Sequence, residues 1–168
     1  MKKIFKKINS CRICNGKNLI NIIDLKKQYI QGSFEKRNHP LTVKTKIPLQ
    51  LVICKKCSLV QTKHTVSSDA LYENYWYKSG VNFTMTDHLL KLAKESKKIL
   101  KNKNKKIKIL DIGCNDGTLL RSFPKTFIKV GIDPSQIAKK LKRENLTIIN
   151  DFFPSKKILL KHKNNKFD

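Results

Sequence analysis

The chain has 168 residues, enough for one domain or one domain plus a small module, and its composition is globular. It holds no run of 18 apolar residues, so no membrane-spanning helix is expected, and the basic stretch Met1-Lys-Lys-Ile-Phe-Lys-Lys7 lacks the apolar segment of a secretory signal. The formal charge of +25 invites a nucleic-acid reading, yet only four of the 37 basic residues are Arg, the residue that bidentate phosphate and guanine recognition favours. The lysines are spread along the whole chain among many Asn and Ile, the pattern of an AT-rich coding sequence.

In chain order, residues 8–65 form a first unit. Leu19–Leu25, Leu49–Ile53 and Ser58–Thr62 have short strand character, and residues 31–48, with Gly32, Pro40 and Pro48, read as an irregular loop. Residues 66–106 are an aromatic segment and a linking helix, with a local aromatic cluster, Tyr72, Tyr75, Trp76 and Tyr77, in 66–80. A helix follows over Phe83–Leu100, where Met85, Leu89, Leu92 and Ala93 recur at helical spacing. Residues 107–168 then alternate: strand Ile107–Ile112, a short helix after Gly117, strand Phe127–Ile132, helix Ser135–Glu144, strand Leu146–Ile149. That order predicts an α/β fold, with a small N-terminal β unit followed by the first half of a doubly wound parallel sheet.

Four of the five cysteines fall in two C-x-x-C pairs, Cys11/Cys14 and Cys54/Cys57, each at a turn beside a strand. A C-x-x-C turn puts two sulfurs on one metal, and two such turns complete the tetrahedral four-thiolate set of a structural Zn2+ site. Four unrelated buried thiols would not pair in this way. A catalytic zinc would keep an open position, and redox chemistry would need only one pair. Thiolate ligands fit a reduced cytosol better than a disulfide framework does, so a cytoplasmic protein is expected. Cys114 stands apart and reads as a small buried residue.

The segment Asp111-Ile-Gly113-Cys114-Asn115-Asp116-Gly117 follows a strand and opens a helix. Small residues there let the backbone approach a ligand, and the helix N-terminus offers free amides. The glycine spacing is not the G-x-G-x-x-G of a nicotinamide or flavin fold. The segment looks like the loop that passes the methionine part of S-adenosyl-L-methionine in methyltransferases, with an acid at its start. Asp133, at the end of the second strand, is placed to accept ribose hydroxyls. Asp151 and Phe152, after the third strand, are placed for an adenine edge and face.

At this point the chain resembles a family: bacterial class I S-adenosylmethionine-dependent methyltransferases with an N-terminal zinc-binding domain, typified by nucleotide-deoxysugar C-methyltransferases. The resemblance runs through Cys11-Arg-Ile-Cys14, Pro48 to Gln61, Tyr75-Trp-Tyr77-Lys-Ser79-Gly80, His88-Leu89, Asp111 to Leu120, Gly131-Ile-Asp-Pro-Ser135 and Asp151-Phe-Phe153. It implies a Rossmann-like catalytic domain and methylation of a sugar carbon beside a carbonyl, with a base giving an enolate that attacks the methyl sulfonium. It also implies that Tyr75, Tyr77 and Ser79 lie near cofactor and substrate. The tyrosines would orient the carbonyl or relay a proton, while hydrophobic packing between the units explains the cluster equally well.

In the family the strand beginning near Phe167-Asp168 continues into further catalytic segments. The expectation is therefore an N-terminal part, inactive alone, whose three strands leave a ragged sheet edge. The expected partners are a nucleotide-sugar substrate and a separately encoded C-terminal half, with no membrane and nucleic acid disfavoured. Two other readings stand beside this one, a zinc-ribbon module on nucleic acid and a noncatalytic remnant that pairs with a separately encoded C-terminal half.

Overall fold

The computed structural model of the chain describes residues 4–30, 46–73, 75–100, 106–141, 145–161 and 166–168. It divides into two units, Met1–Tyr72 and Glu73–Asp168.

The first unit is built on strands β1 (Phe5–Lys7), β2 (Leu19–Tyr29), β3 (Lys46–Cys54), β4 (Val60–Thr62) and β5 (His64–Val66). β2, β3 and β4 form an antiparallel sheet in that order, and β1 pairs antiparallel with β5, Phe5 opposite Val66. The central β3 carries the buried side chains Val52 and Cys54. β3 begins at Lys46, within the segment expected to be irregular; the rest of that expected loop, 31–45, lies outside the described residues. Pro48 is tolerated because it faces Lys27 beside a register shift between Asp24 and Lys27, where the ladder is interrupted.

In the second unit a 3₁₀ turn, Ser79–Val81, leads into α1 (Phe83–Ile99). The Asn82 side chain caps α1, accepting from the Met85 amide at 3.0 Å. Then follow β6 (Lys108–Ile112), α2 (Thr118–Ser122), β7 (Ile128–Ile132), α3 (Gln136–Lys139), β8 (Thr147–Ile149) and α4 (Lys156–Lys161). β6, β7 and β8 pair in parallel in that order, Leu110 opposite Val130 and Ile132 opposite Ile149. One face packs Ile109 and Ile148 with Cys114, Leu120 of α2 and Ala138 of α3. The other packs Leu110, Val130, Ile132 and Ile149 with Ile158 of α4 and Phe167.

Helices therefore lie on both faces, as in half of a Rossmann-like sheet. α4 was not expected from the sequence, and with it the second face gains a helix. α3 stops at Lys139, short of the expected Glu144; residues 142–144 lie outside the described residues. The free edge of β6 is met by the last residues: the Asp168 amide donates to the Lys108 carbonyl at 2.9 Å, and the Lys108 amide donates to Asp168 Oδ2 at 3.0 Å. The chain thus runs from β6 to β8 on one side and returns to the other side of β6, so the order reverses at β6. In open α/β sheets the ligand crevice opens at that reversal. Among the described residues no helix is long and apolar enough to cross a membrane.

Candidate metal centre and cofactor loop

The two cysteine pairs fold into the same turn. In the first, the Asn15 amide donates to the Cys11 carbonyl at 3.1 Å and the Cys11 amide to the Gly16 carbonyl at 2.9 Å. In the second, Ser58 donates to Cys54 at 2.8 Å and Cys54 to Leu59 at 3.0 Å. Asn15 and Ser58, each directly after its pair, take left-handed conformations with φ of 57° and 60°. Gly16 lies in tight space, where a Cβ would come within 3.3 Å of both Cys14 Sγ and Cys54 Sγ.

These turns bring the four sulfurs within 4.8 Å of one another. Cys11 Sγ lies 3.7 Å from Cys57 Sγ, and Cys14 Sγ lies 3.5 Å from Cys54 Sγ. A zinc ion with Zn–S bonds of about 2.3 Å sets tetrahedral sulfurs roughly 3.8 Å apart, so the donor set fits zinc. The amides of Cys14 and Ile13 pull the Cys11 thiol down to about 6. Cys57 receives the Leu59 amide, yet hydrogen bonding to Cys14, burial and the other thiols push it up to about 12. Four thiols crowded without a cation cannot all ionise; the metal makes that possible.

Sequence reasoning did not single out Gln61 and Arg12 as parts of this centre. Gln61, buried on β4, donates from Nε2 to Cys11 Sγ at 3.2 Å. Its Oε1 accepts from the Arg12 amide at 3.2 Å and from Arg12 Nη1 at 3.1 Å. Arg12 is itself anchored, Nη1 to the Thr62 carbonyl at 2.6 Å and Nη2 to Thr65 Oγ1 at 2.8 Å. The clue available in the sequence was a polar residue at an inward position of a short strand four residues after Cys57.

In the second unit the loop between β6 and α2 lies at the C-terminal ends of β6 and β7. The Gly113 and Cys114 amides both donate to the Ile132 carbonyl, at 2.8 and 3.3 Å. Gly113 and Gly117 have φ of 79° and 74°, a region glycine enters without strain. A Cβ on Gly113 would meet nothing within 4 Å, so the space before it is open to a ligand. Cys114 is buried behind the loop, and a Cβ on Gly131 would come within 2.6 Å of its sulfur. Asp111 is pushed up to about 6, by burial first and then by the charge of Asp133.

Asp133 is buried at the end of β7. Its Oδ2 accepts from the Asn115 amide at 2.9 Å and its Oδ1 from the Ser135 amide at 2.8 Å. Asn150 closes the turn, donating to the Asp133 and Ser135 carbonyls at 2.8 and 3.0 Å. Asp151 is held low by Ser155 Oγ at 2.8 Å and by the Phe152 amide at 2.9 Å, with Lys157 Nζ at 3.6 Å. Phe152 is half-buried and Phe153 exposed.

Asn115 faces the aromatic segment rather than open space. Its Nδ2 donates to the Tyr77 carbonyl at 2.8 Å, and its Oδ1 accepts from the Ser79 amide at 3.1 Å. Tyr77 and Ser79 are therefore brought to the loop through their backbones. Tyr75 and Tyr77 are half-buried, and the Trp76 ring stands edge-on to Tyr77 at 6.1 Å.

Fold and site together define a class: a four-cysteine zinc-binding β unit followed in the chain by a parallel α/β unit with a ligand-open glycine loop. Residues 11–72 match the protein family described as "Putative zinc binding domain". The chain is also 23% identical over 137 residues to the C-methyltransferase NovU of Streptomyces niveus. That match covers 81% of this chain and 32% of NovU, so the chain spans about a third of the relative's length. These findings relate the chain to methyltransferases with an N-terminal zinc-binding domain.

Proposed function

We propose that this chain carries the zinc-binding and cofactor-binding portion of an S-adenosyl-L-methionine-dependent C-methyltransferase that acts on a nucleotide-linked deoxysugar. The observation that carries the reading is the β6–α2 loop, with open space at Gly113 and with Asp133 at the neighbouring strand end. In this reading the backbone of Gly113 to Gly117 passes the methionine part of the cofactor. The Asp133 oxygens each hold one amide and retain lone pairs for ribose hydroxyls. Asp151 and Phe152 attend the adenine. The bound cofactor supplies an electrophilic methyl group.

Tyr75 and Tyr77 orient the carbonyl of the sugar or relay the proton lost from the neighbouring carbon. The zinc is structural, because four thiolates leave it no open position. A reducing cytoplasm keeps those thiolates available. The substrate is a nucleotide sugar.

The test is a calorimetric titration of the zinc-loaded chain with S-adenosylmethionine, S-adenosylhomocysteine, NAD and ATP. Binding confined to the two sulfur nucleosides is expected. Equal or tighter binding of NAD or ATP would overturn the assignment.

A further inference from the structure

We propose that Asn115 and Asp116 are positioning residues that latch the Tyr77–Gly80 segment onto the glycine loop, so that nucleoside binding and ordering of the aromatic segment are one event. The coupling to a nucleoside rests on the function proposed above; the latch itself rests on geometry. Three hydrogen bonds make it: Asn115 Nδ2 to the Tyr77 carbonyl at 2.8 Å, the Ser79 amide to Asn115 Oδ1 at 3.1 Å, and the Gly80 amide to Asp116 Oδ2 at 2.8 Å.

The loop side of the latch is prepared. Asn115 Oδ1 also accepts from the Asp116 amide at 2.8 Å, and Asp116 Oδ1 accepts from Thr118 Oγ1 at 2.6 Å and from the Thr118 amide at 3.2 Å. Both side chains are therefore also held by their own loop, independently of their bonds to the segment. Asn115 has φ of 50°, a left-handed conformation that Asn and Asp tolerate better than most residues.

An independent observation comes from the other side of the contact. Gly80 lies so close to the loop that a Cβ would come within 2.8 Å of Thr118 Oγ1 and 2.9 Å of Asp116 Oδ2. A side chain at that position would have to displace Thr118 Oγ1 and Asp116 Oδ2, the latter the acceptor of the Gly80 amide. The connection then runs onward through one residue. The Asn115 amide donates to Asp133 Oδ2 at 2.9 Å, while its side chain holds Tyr77 and Ser79. A ligand that draws on the Asp133 carboxylate and the loop backbone therefore acts on the residue that places the tyrosines. Asn115 reaches the ligand through its neighbours and need not touch it.

The experiment uses the full zinc-loaded chain and its single tryptophan, Trp76, which directly precedes the latched segment and stands edge-on to Tyr77. Time-resolved fluorescence anisotropy reads the local motion of Trp76, and titration with S-adenosylhomocysteine reads affinity. The variants are Gly80→Ala, which changes no loop residue, and Asn115→Asp, which keeps the acceptor oxygens and removes the donor to Tyr77. Lys78→Ala is the control, because its exposed side chain takes no part in the three bonds. Far-UV circular dichroism confirms that each variant is folded.

The expected result is a larger amplitude of fast Trp76 motion in Gly80→Ala and Asn115→Asp, wild-type motion in Lys78→Ala, and affinity weakened on the order of tenfold in the first two variants. Wild-type Trp76 motion in both folded variants overturns the latch. Loosened Trp76 with unchanged nucleoside affinity overturns the coupling. Absence of binding by the wild-type chain refutes the proposed function instead, and the anisotropy still decides the latch.

Discussion

Replacing Gln61 with Leu tests whether the zinc centre depends on the groups that orient its thiolates. The substitution nearly conserves volume but removes the Nε2 donor 3.2 Å from Cys11 Sγ and the acceptor that holds the Arg12 amide. A hydrogen bond to a charged group is worth about 1.5–3 kcal/mol. Loss of an outer partner of a metal ligand typically costs about 10–100-fold in metal affinity, roughly 1.4–2.7 kcal/mol. The two figures agree, so zinc affinity should fall by one to two orders of magnitude at neutral pH on that basis. Competition with a chromophoric chelator measures it directly. Affinity within twofold of wild type would mean that the Gln61 contact does nothing for the thiolate. Gln61→Glu should be worse than Leu, since it sets a carboxylate against a thiolate.

Cys54→Ser should drop bound zinc from about one equivalent per chain toward zero and loosen the first unit, because metal binding supplies folding free energy; elemental analysis and proteolysis check it. Asp111 has its carboxyl raised from 3.8 to about 6, so the folded state holds a proton that the unfolded state has lost between those values. The Asp111 contribution to the stability of the second unit should therefore be greatest below that window and be lost as pH rises through it, by up to ~3 kcal/mol. Asp111→Asn should remove most of this decline, and urea titrations at pH 4 and pH 7 compare the two proteins. Gly131→Ala places a Cβ 2.6 Å from Cys114 Sγ and 2.9 Å from Leu120 Cδ1, and should destabilise by about 1–3 kcal/mol through overpacking. An unchanged urea midpoint would show that the loop can retreat without cost.

The metal centre was legible because its signal is local. Each C-x-x-C pair sets its own turn, and the residues after it, Asn15 with Gly16 and Ser58, are types suited to the turn that forms. The parallel sheet was legible for a similar reason: the apolar runs at Leu110, Val130 and Ile148 sit between glycine and polar breaks. Harder to see was α4, where Ile158 is buried while Leu159 and Leu160 face outward, so no apolar stripe marks it. β1 escaped because its three residues gain their partner only from β5, some 60 positions later by the Phe5–Val66 pairing. Asn115 was visible as a loop residue, but its bonds to Tyr77 and Ser79 depend on how the chain folds back.

Amide chemical-shift mapping of the zinc-loaded chain during titration with S-adenosylhomocysteine reads whether the β6–α2 loop receives a sulfur nucleoside. The amides of Gly113, Asn115, Gly117, Asp133 and Phe152 should move together and saturate at one ligand concentration, while Val52, Cys54 and Gln61 stay still. Perturbations centred on the zinc unit, or spread thinly over the exposed lysines without saturation, would contradict binding at that loop.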